Sequence, residues 1–164
     1  MKDRGFSFIE IIVVLVLLSL AVALVAPSLS RFSRSVKLKA AAKKVSAILR
    51  YYRSEAVNQG KVYQIFFDPD LRVVKVQLME STEEKAEDEQ NKGKAPPKAY
   101  FLPDGVYIKE VDVDSPQYPS DLPTIEFYPN GGSNGGTILL DSQDLKGYKI
   151  KVHFLTGSVA IEKV

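Results

Sequence analysis

Gly5-Phe6-Ser7-Phe8-Ile9-Glu10, continuing without a break into Ile11–Ala26, decides how the rest of the chain is read. From Phe6 to Ala26 roughly twenty mainly apolar residues follow one another, which at 1.5 Å rise each is enough for one helix across a bilayer core of about 30 Å. Glu10 interrupts that run only a turn from its start. A carboxylate placed in hydrocarbon costs at least a few kcal/mol unless it is paired or protonated, so the position reads as a functional one. Met1-Lys2-Asp3-Arg4-Gly5 precedes the span, too short to fold and carrying Lys2 and Arg4. Basic residues on that side hold the N-terminus in the cytoplasm, and the long C-terminal part is then exported. Ala21-Val22-Ala23 or Ala23–Pro27 offers the small-residue pattern of a secretory signal cleavage site. Against that reading, the apolar run is longer than a typical signal core and Glu10 has no role in one.

The remaining chain bounds what the protein can do. It has 164 residues in all, a net charge of +2, one His, no Cys and no Trp. Leader and span removed, there is enough for one small domain with a modest core. Without Cys there is no disulfide framework and no thiolate metal site. After Pro27 the pattern becomes amphipathic: Phe32, Val36, Ala40, Val45, Ile48, Leu49, Tyr52 and Ala56 recur at three to five residues, which predicts an apolar stripe on a helix ending at Gly60. The two halves predict a helix of about 50 residues, near 80 Å long and bent at Pro27.

Charge is divided along the molecule. Arg31, Arg34, Lys37, Lys39, Lys43, Lys44, Arg50, Arg53 and Lys61 stand against Glu55 alone, whereas Val62 onward has 11 basic and 17 acidic residues, a net of minus six. The basic helix face suits anionic headgroups, solvent or acidic surfaces of neighbouring subunits. Nucleic acid is not the expected partner, because the head is acidic and lacks a basic patch with stacking groups.

Beyond Gly60 the period becomes that of strands. Val62–Phe67, a turn at Asp68-Pro69-Asp70, and Arg72–Met79 read as a hairpin. Glu80–Lys98 has almost nothing to bury and reads as a mobile loop. Strand patterns resume in Tyr100–Val113, Thr124–Tyr128, Thr137–Leu140, Tyr148–Phe154 and Val159–Val164. Pro129–Gly136 is glycine-rich but leads into Thr137-Ile138 rather than a Lys-Ser/Thr pair opening a helix, so it reads as left-handed turns or a bulge and not a phosphate loop. Asp68 and Asp70 read as turn formers rather than calcium ligands, and His153 has no Cys partner. No nucleophile stands beside a base. No enzyme activity, cofactor, metal or small-molecule substrate is expected.

The N-terminal motif resembles the class III signal of type IV pilins and pseudopilins. The resemblance implies cleavage by a prepilin peptidase between Gly5 and Phe6, N-methylation of Phe6, an assembly role for Glu10, and a helix-bending proline at Pro27. Cleavage creates a positive amine at Phe6, which Glu10 of a neighbouring subunit can neutralise inside a low-dielectric bundle. The head narrows the resemblance. Leu102–Val106, Ile125–Gly131 with Gly135–Leu140, Ile150–Gly157 and Val159–Ile161 are similar to the heads of the H-type minor pseudopilins of type II secretion (GspH) and the related FimT minor pilins.

The fold implied is α+β, a long N-terminal transmembrane-plus-amphipathic helix packed on a mostly antiparallel β head. Its divisions are a leader 1–5, a transmembrane helix 6–26, an amphipathic helix 27–60 and a periplasmic head 61–164 with the loop 80–98. The implied role is a structural subunit of a type II secretion pseudopilus, near its tip or as adaptor to it, that helps export folded proteins across the outer membrane. The implied location is the bacterial inner membrane, single-pass, with the N-terminus cytoplasmic. Partners implied are other pilins or pseudopilins through the N-terminal helix, the prepilin peptidase and the inner-membrane assembly platform. The alternative is a FimT-type minor pilin in pilus biogenesis or DNA uptake. DNA-binding relatives of that type carry a basic motif after the C-terminal glycine, where this chain reads Gly157-Ser158-Val159 without an arginine.

Overall fold

The structure is a computed structural model, and it describes residues 7–79, 97–114, 116–118, 120–143 and 146–164, with the side chains of 23–30 left undescribed. Two compact units divide the chain, Met1–Val36 and Lys37–Val164. Helix α1, Phe8–Gln59, is continuous through Pro27 and crosses that boundary. In the first unit the described apolar side chains, Phe8 to Val22, are exposed all round the helix.

In the second unit α1 buries one face. Leu38, Ala41, Ala42, Val45, Ile48, Leu49, Tyr52 and Ala56 recur every three or four residues and form the helical side of the core. Phe32, Val36 and Ala40, expected on the same stripe, are exposed instead. The expected stripe joined two faces: 100° per residue carries Phe32, Val36 and Ala40 to the side opposite Leu38 and Val45. The helix stops as expected. Gly60 takes φ 65°, and the Lys61 N–H returns to the Ala56 carbonyl at 3.2 Å, which satisfies one of the last free carbonyls.

Eight strands follow: β1 Val62–Asp68, β2 Val73–Met79, β3 Lys98–Phe101, β4 Tyr107–Asp112, β5 Thr124–Phe127, β6 Gly136–Asp141, β7 Tyr148–Val152 and β8 Val159–Lys163. The antiparallel head resolves into two four-stranded sheets, ordered β3-β2-β1-β5 and β4-β6-β7-β8. The β1–β2 hairpin is the expected one, with Val62 opposite Met79 and Asp68 opposite Val73. Strand β3 begins at Lys98, inside the stretch expected as loop, where Lys98 pairs with Val76. An exposed edge strand can form through its backbone alone, and composition does not register that. Of that expected loop, residues 80–96 lie outside the described residues, and Pro97 immediately precedes β3.

Both sheets face the helix. Ile65, Phe67, Val74, Val76, Ile125 and Phe127 from the first join Ile108, Ile138, Leu140, Ile150, Val152 and Val159 from the second in one core with the α1 stripe. Alternation along β5 sends Ile125 and Phe127 inward and leaves Thr124 and Glu126 on the far face of the first sheet.

Candidate assembly site

The site that the sequence singles out begins with Gly5 and Phe6, which lie outside the described residues. Glu10 lies in the first turn of α1. Its N–H and that of Ile11 both reach the Ser7 carbonyl, at 3.0 and 3.3 Å, and an acid here is favoured by the positive end of the helix dipole. No side-chain partner of Glu10 occurs among the described residues. Around it Phe8 is 79% and Leu15 61% exposed, a degree of apolar exposure that a lone water-soluble helix does not tolerate. Further along the run, Ser19 turns its hydroxyl back to the Val16 carbonyl at 2.8 Å and so needs no outside partner. Pro27 continues the helix; its side chain is outside the described ones. Among the described residues no helix is long and apolar enough to cross a membrane; of the expected span 6–26, Phe6 and the side chains of 23–26 lie outside the described ones.

Part of the basic helix face is spent inside the head. Arg53 Nε donates to the carbonyls of Thr156 at 2.8 Å and Gly131 at 3.2 Å, Arg50 to Val159 at 2.8 Å, and Lys44 to Phe101 at 3.3 Å. These cations dock the helix on the ends of strands and loops, a use that a count of charges did not suggest. Lys37, Lys39 and Lys43 remain exposed. Gly157 lies in this docking region at φ 59°, and a Cβ there would come within 2.6 Å of the Gly131 carbonyl. The glycine is therefore needed for close approach as well as for its backbone angle.

The glycine-rich loop behaves as left-handed turns, with φ 83° at Gly131 and 77° at Gly135. Its function is to close the free edge of β5. Asn134 Oδ1 accepts from the Glu126 N–H at 2.8 Å, and its Nδ2 donates to the carbonyls of Thr124 at 2.9 Å and Asp114 at 3.1 Å. One side chain thus stands in for a missing strand. Sequence reasoning missed both Asn134 and Glu126. The period of β5 marks Glu126 as pointing away from the core, which normally means water, yet it is fully buried.

Asp68 forms the turn as expected, accepting from the Leu71 N–H at 3.0 Å and from Lys75 Nζ at 3.1 Å. The Leu71 amide first, and Lys75 after it, hold its carboxyl below the usual range. At Asp141 the Lys109 ammonium, 2.9 Å away, lowers the carboxyl likewise. His153 is exposed and stacks on Phe154 at 5.4 Å. Among the described residues no group of three His, Cys, Asp or Glu could hold a metal.

Residues 41–156 match the model of the family described as type II transport protein GspH. The chain belongs to that family. Residues 1–26 match the prokaryotic N-terminal methylation motif. Among known proteins, this GspH-family chain is 27% identical over 157 residues to type II secretion system protein H of Xanthomonas campestris pv. campestris, covering 95% of this chain and 81% of that protein. In fold it resembles the minor pseudopilin EpsH of the Vibrio cholerae type 2 secretion system, with a TM-score of 0.55, 14% identity, and coverage of 77% of this chain and 97% of that one. The type IV minor pilin FimU of Pseudomonas aeruginosa gives a TM-score of 0.53 at 19% identity, covering 76% and 92%. These two likenesses bear out the pilin-like α+β architecture.

Proposed function

We propose that this GspH-family chain serves as a minor pseudopilin, a structural and not a catalytic subunit of a type II secretion pseudopilus, held in the inner membrane before assembly with its head in the periplasm. The observation that carries the reading is the N-terminal part of α1, Phe8–Val22, apolar on every side, exposed, and charged only at Glu10. Such a surface is covered in its working state by lipid or by like helices of neighbouring subunits. Processing between Gly5 and Phe6, with N-methylation of Phe6, supplies a cation, and Glu10 of an adjacent subunit neutralises it. A buried pair of this kind rewards one register of packing above others, since either charge alone is costly there. The remaining features of the reading are a place near the tip or as adaptor, and contacts with the prepilin peptidase and the assembly platform. The secretion role is favoured over the FimT-type alternative by the family match and by the relative from Xanthomonas; the resemblance to FimU extends to the fold.

Glu10→Ala tests the assembly role. The variant is expected to be shortened by prepilin peptidase as the parent is, yet to enter the filament at less than about a tenth of the parental level, the effect of leaving one buried charge unpaired. Sheared-filament fractions probed for the subunit measure it, and parental incorporation would dismiss the pairing.

A further inference from the structure

Two Asn-Gly steps, Asn130-Gly131 and Asn134-Gly135, lie in the loop between β5 and β6, and the assembly role uses neither. With no Cβ on the following glycine, its backbone nitrogen reaches the asparagine Cγ more readily than that of any other residue. The reaction this opens is a net hydrolysis of the side-chain amide. The glycine nitrogen, once its proton has passed to solvent hydroxide, attacks Cγ; the new N–Cγ bond closes a succinimide ring as the Cγ–Nδ2 bond breaks and ammonia leaves. Water then opens the ring at either carbonyl, giving aspartate or isoaspartate.

The fold treats the two steps differently. Asn134 is buried, with both Nδ2 hydrogens held by the Thr124 and Asp114 carbonyls and Oδ1 accepting from the Glu126 N–H. The Gly135 N–H is in turn bonded to Ser133 Oγ at 3.1 Å. Swinging Cγ round to that nitrogen breaks these bonds and reopens the edge of β5. Asn130 is exposed, at the tip of a tight turn in which the Tyr128 N–H donates to the Gly132 carbonyl at 3.0 Å and the Gly131 N–H to the Tyr128 carbonyl at 2.9 Å, with Phe127 and Ser133 paired beneath. Its Oδ1 accepts from the Gly132 N–H at 2.9 Å, and among the described residues its Nδ2 has no partner. Here the leaving group already stands in water, and the Gly131 nitrogen, itself buried, is freed by opening this one turn while both sheets stay intact.

We propose that Asn130 is a site of spontaneous covalent modification in the folded chain: it converts to aspartate and isoaspartate through local opening of the turn 128–132, whereas Asn134 is preserved for as long as the head stays folded. The consequence falls on the docking of the helix. Gly131, the next residue, gives its carbonyl to Arg53 Nε at 3.2 Å. Isoaspartate lengthens the main chain just before that carbonyl, and either product puts a carboxylate where a neutral amide stood.

Peptide mapping by tandem mass spectrometry of the full-length chain in detergent micelles, incubated at neutral and mildly alkaline pH and sampled over time, tests this. In the folded chain conversion at Asn130 is expected to outpace that at Asn134 by about tenfold or more, and to quicken as pH rises because the attacking amide must lose its proton. In denaturant the two steps are expected to react within about threefold of each other, since the bonds that distinguish them are gone. Asn130→Ser, an exposed change, is expected to remove nearly all conversion from the loop of the folded chain. Three results would each overturn the proposal: an Asn130 that stays unconverted in the folded chain, an Asn134 that converts there as fast as Asn130, or a tenfold preference for Asn130 that persists in denaturant and so belongs to the sequence alone.

Discussion

Two stretches of one helix stand in opposite relations to water. From Leu38 to Ala56 the apolar side chains keep to one face and are buried by the two sheets of their own chain, whereas from Phe8 to Val22 they occupy every face and are exposed. A stripe implies a partner on one side, within the fold. An unstriped apolar helix implies surroundings on all sides, and no single small head can provide them. The comparison separates what the chain does for itself from what it is proposed to do with others: Leu38–Ala56 sets the stability of the head, and the proposed assembly falls to Phe8–Val22.

Paired truncations sharpen this. Leu49→Ala removes a fully buried side chain at the centre of the stripe and is expected to cost about 2–5 kcal/mol of head stability, seen as a large fall in the thermal midpoint. Leu17→Ala removes an identical side chain from the exposed stretch and is expected to leave head stability within about 0.5 kcal/mol of the parent, because that side chain is 60% exposed. A large loss from Leu17→Ala would break the division. Between these lies Asn134→Ala. It leaves a buried N–H of Glu126 and a buried carbonyl of Thr124 without partners, and it is expected to cost about 1–3 kcal/mol by denaturant titration, with the N-terminal stretch unaffected.

The same contrast explains what was legible in the sequence. Strand patterns with bounding Pro, Gly and Asp residues gave β1, β2 and β4–β8 because alternation and turn chemistry are local signals. The Gly60 stop and the Asp68 turn were readable for the same reason. The stripe failed at Phe32, Val36 and Ala40, where a spacing of four continued smoothly onto a different face. Division of the head into two sheets depends on which strands meet across long connections, and periodicity is silent about that. Glu126 and Asn134 escaped notice because their burial comes from segments remote from their own strand or turn. Arg50 and Arg53 were counted with the basic face, although their guanidinium groups are committed to carbonyls of the head. At the N-terminus the motif Gly5, Phe6 and Glu10 is legible as sequence and matches the methylation motif, while Gly5 and Phe6 lie outside the described residues.

The central claim is that the exposed apolar stretch belongs to a processed filament subunit. Intact mass and N-terminal sequencing of the membrane-extracted chain, produced with and without a prepilin peptidase, test it most directly. The account predicts a chain that begins at N-methylated Phe6 when the peptidase is present and at Met1 when it is absent. A chain that still begins at Met1 with the peptidase present, or one cut after Ala23 or Ala26, would contradict it.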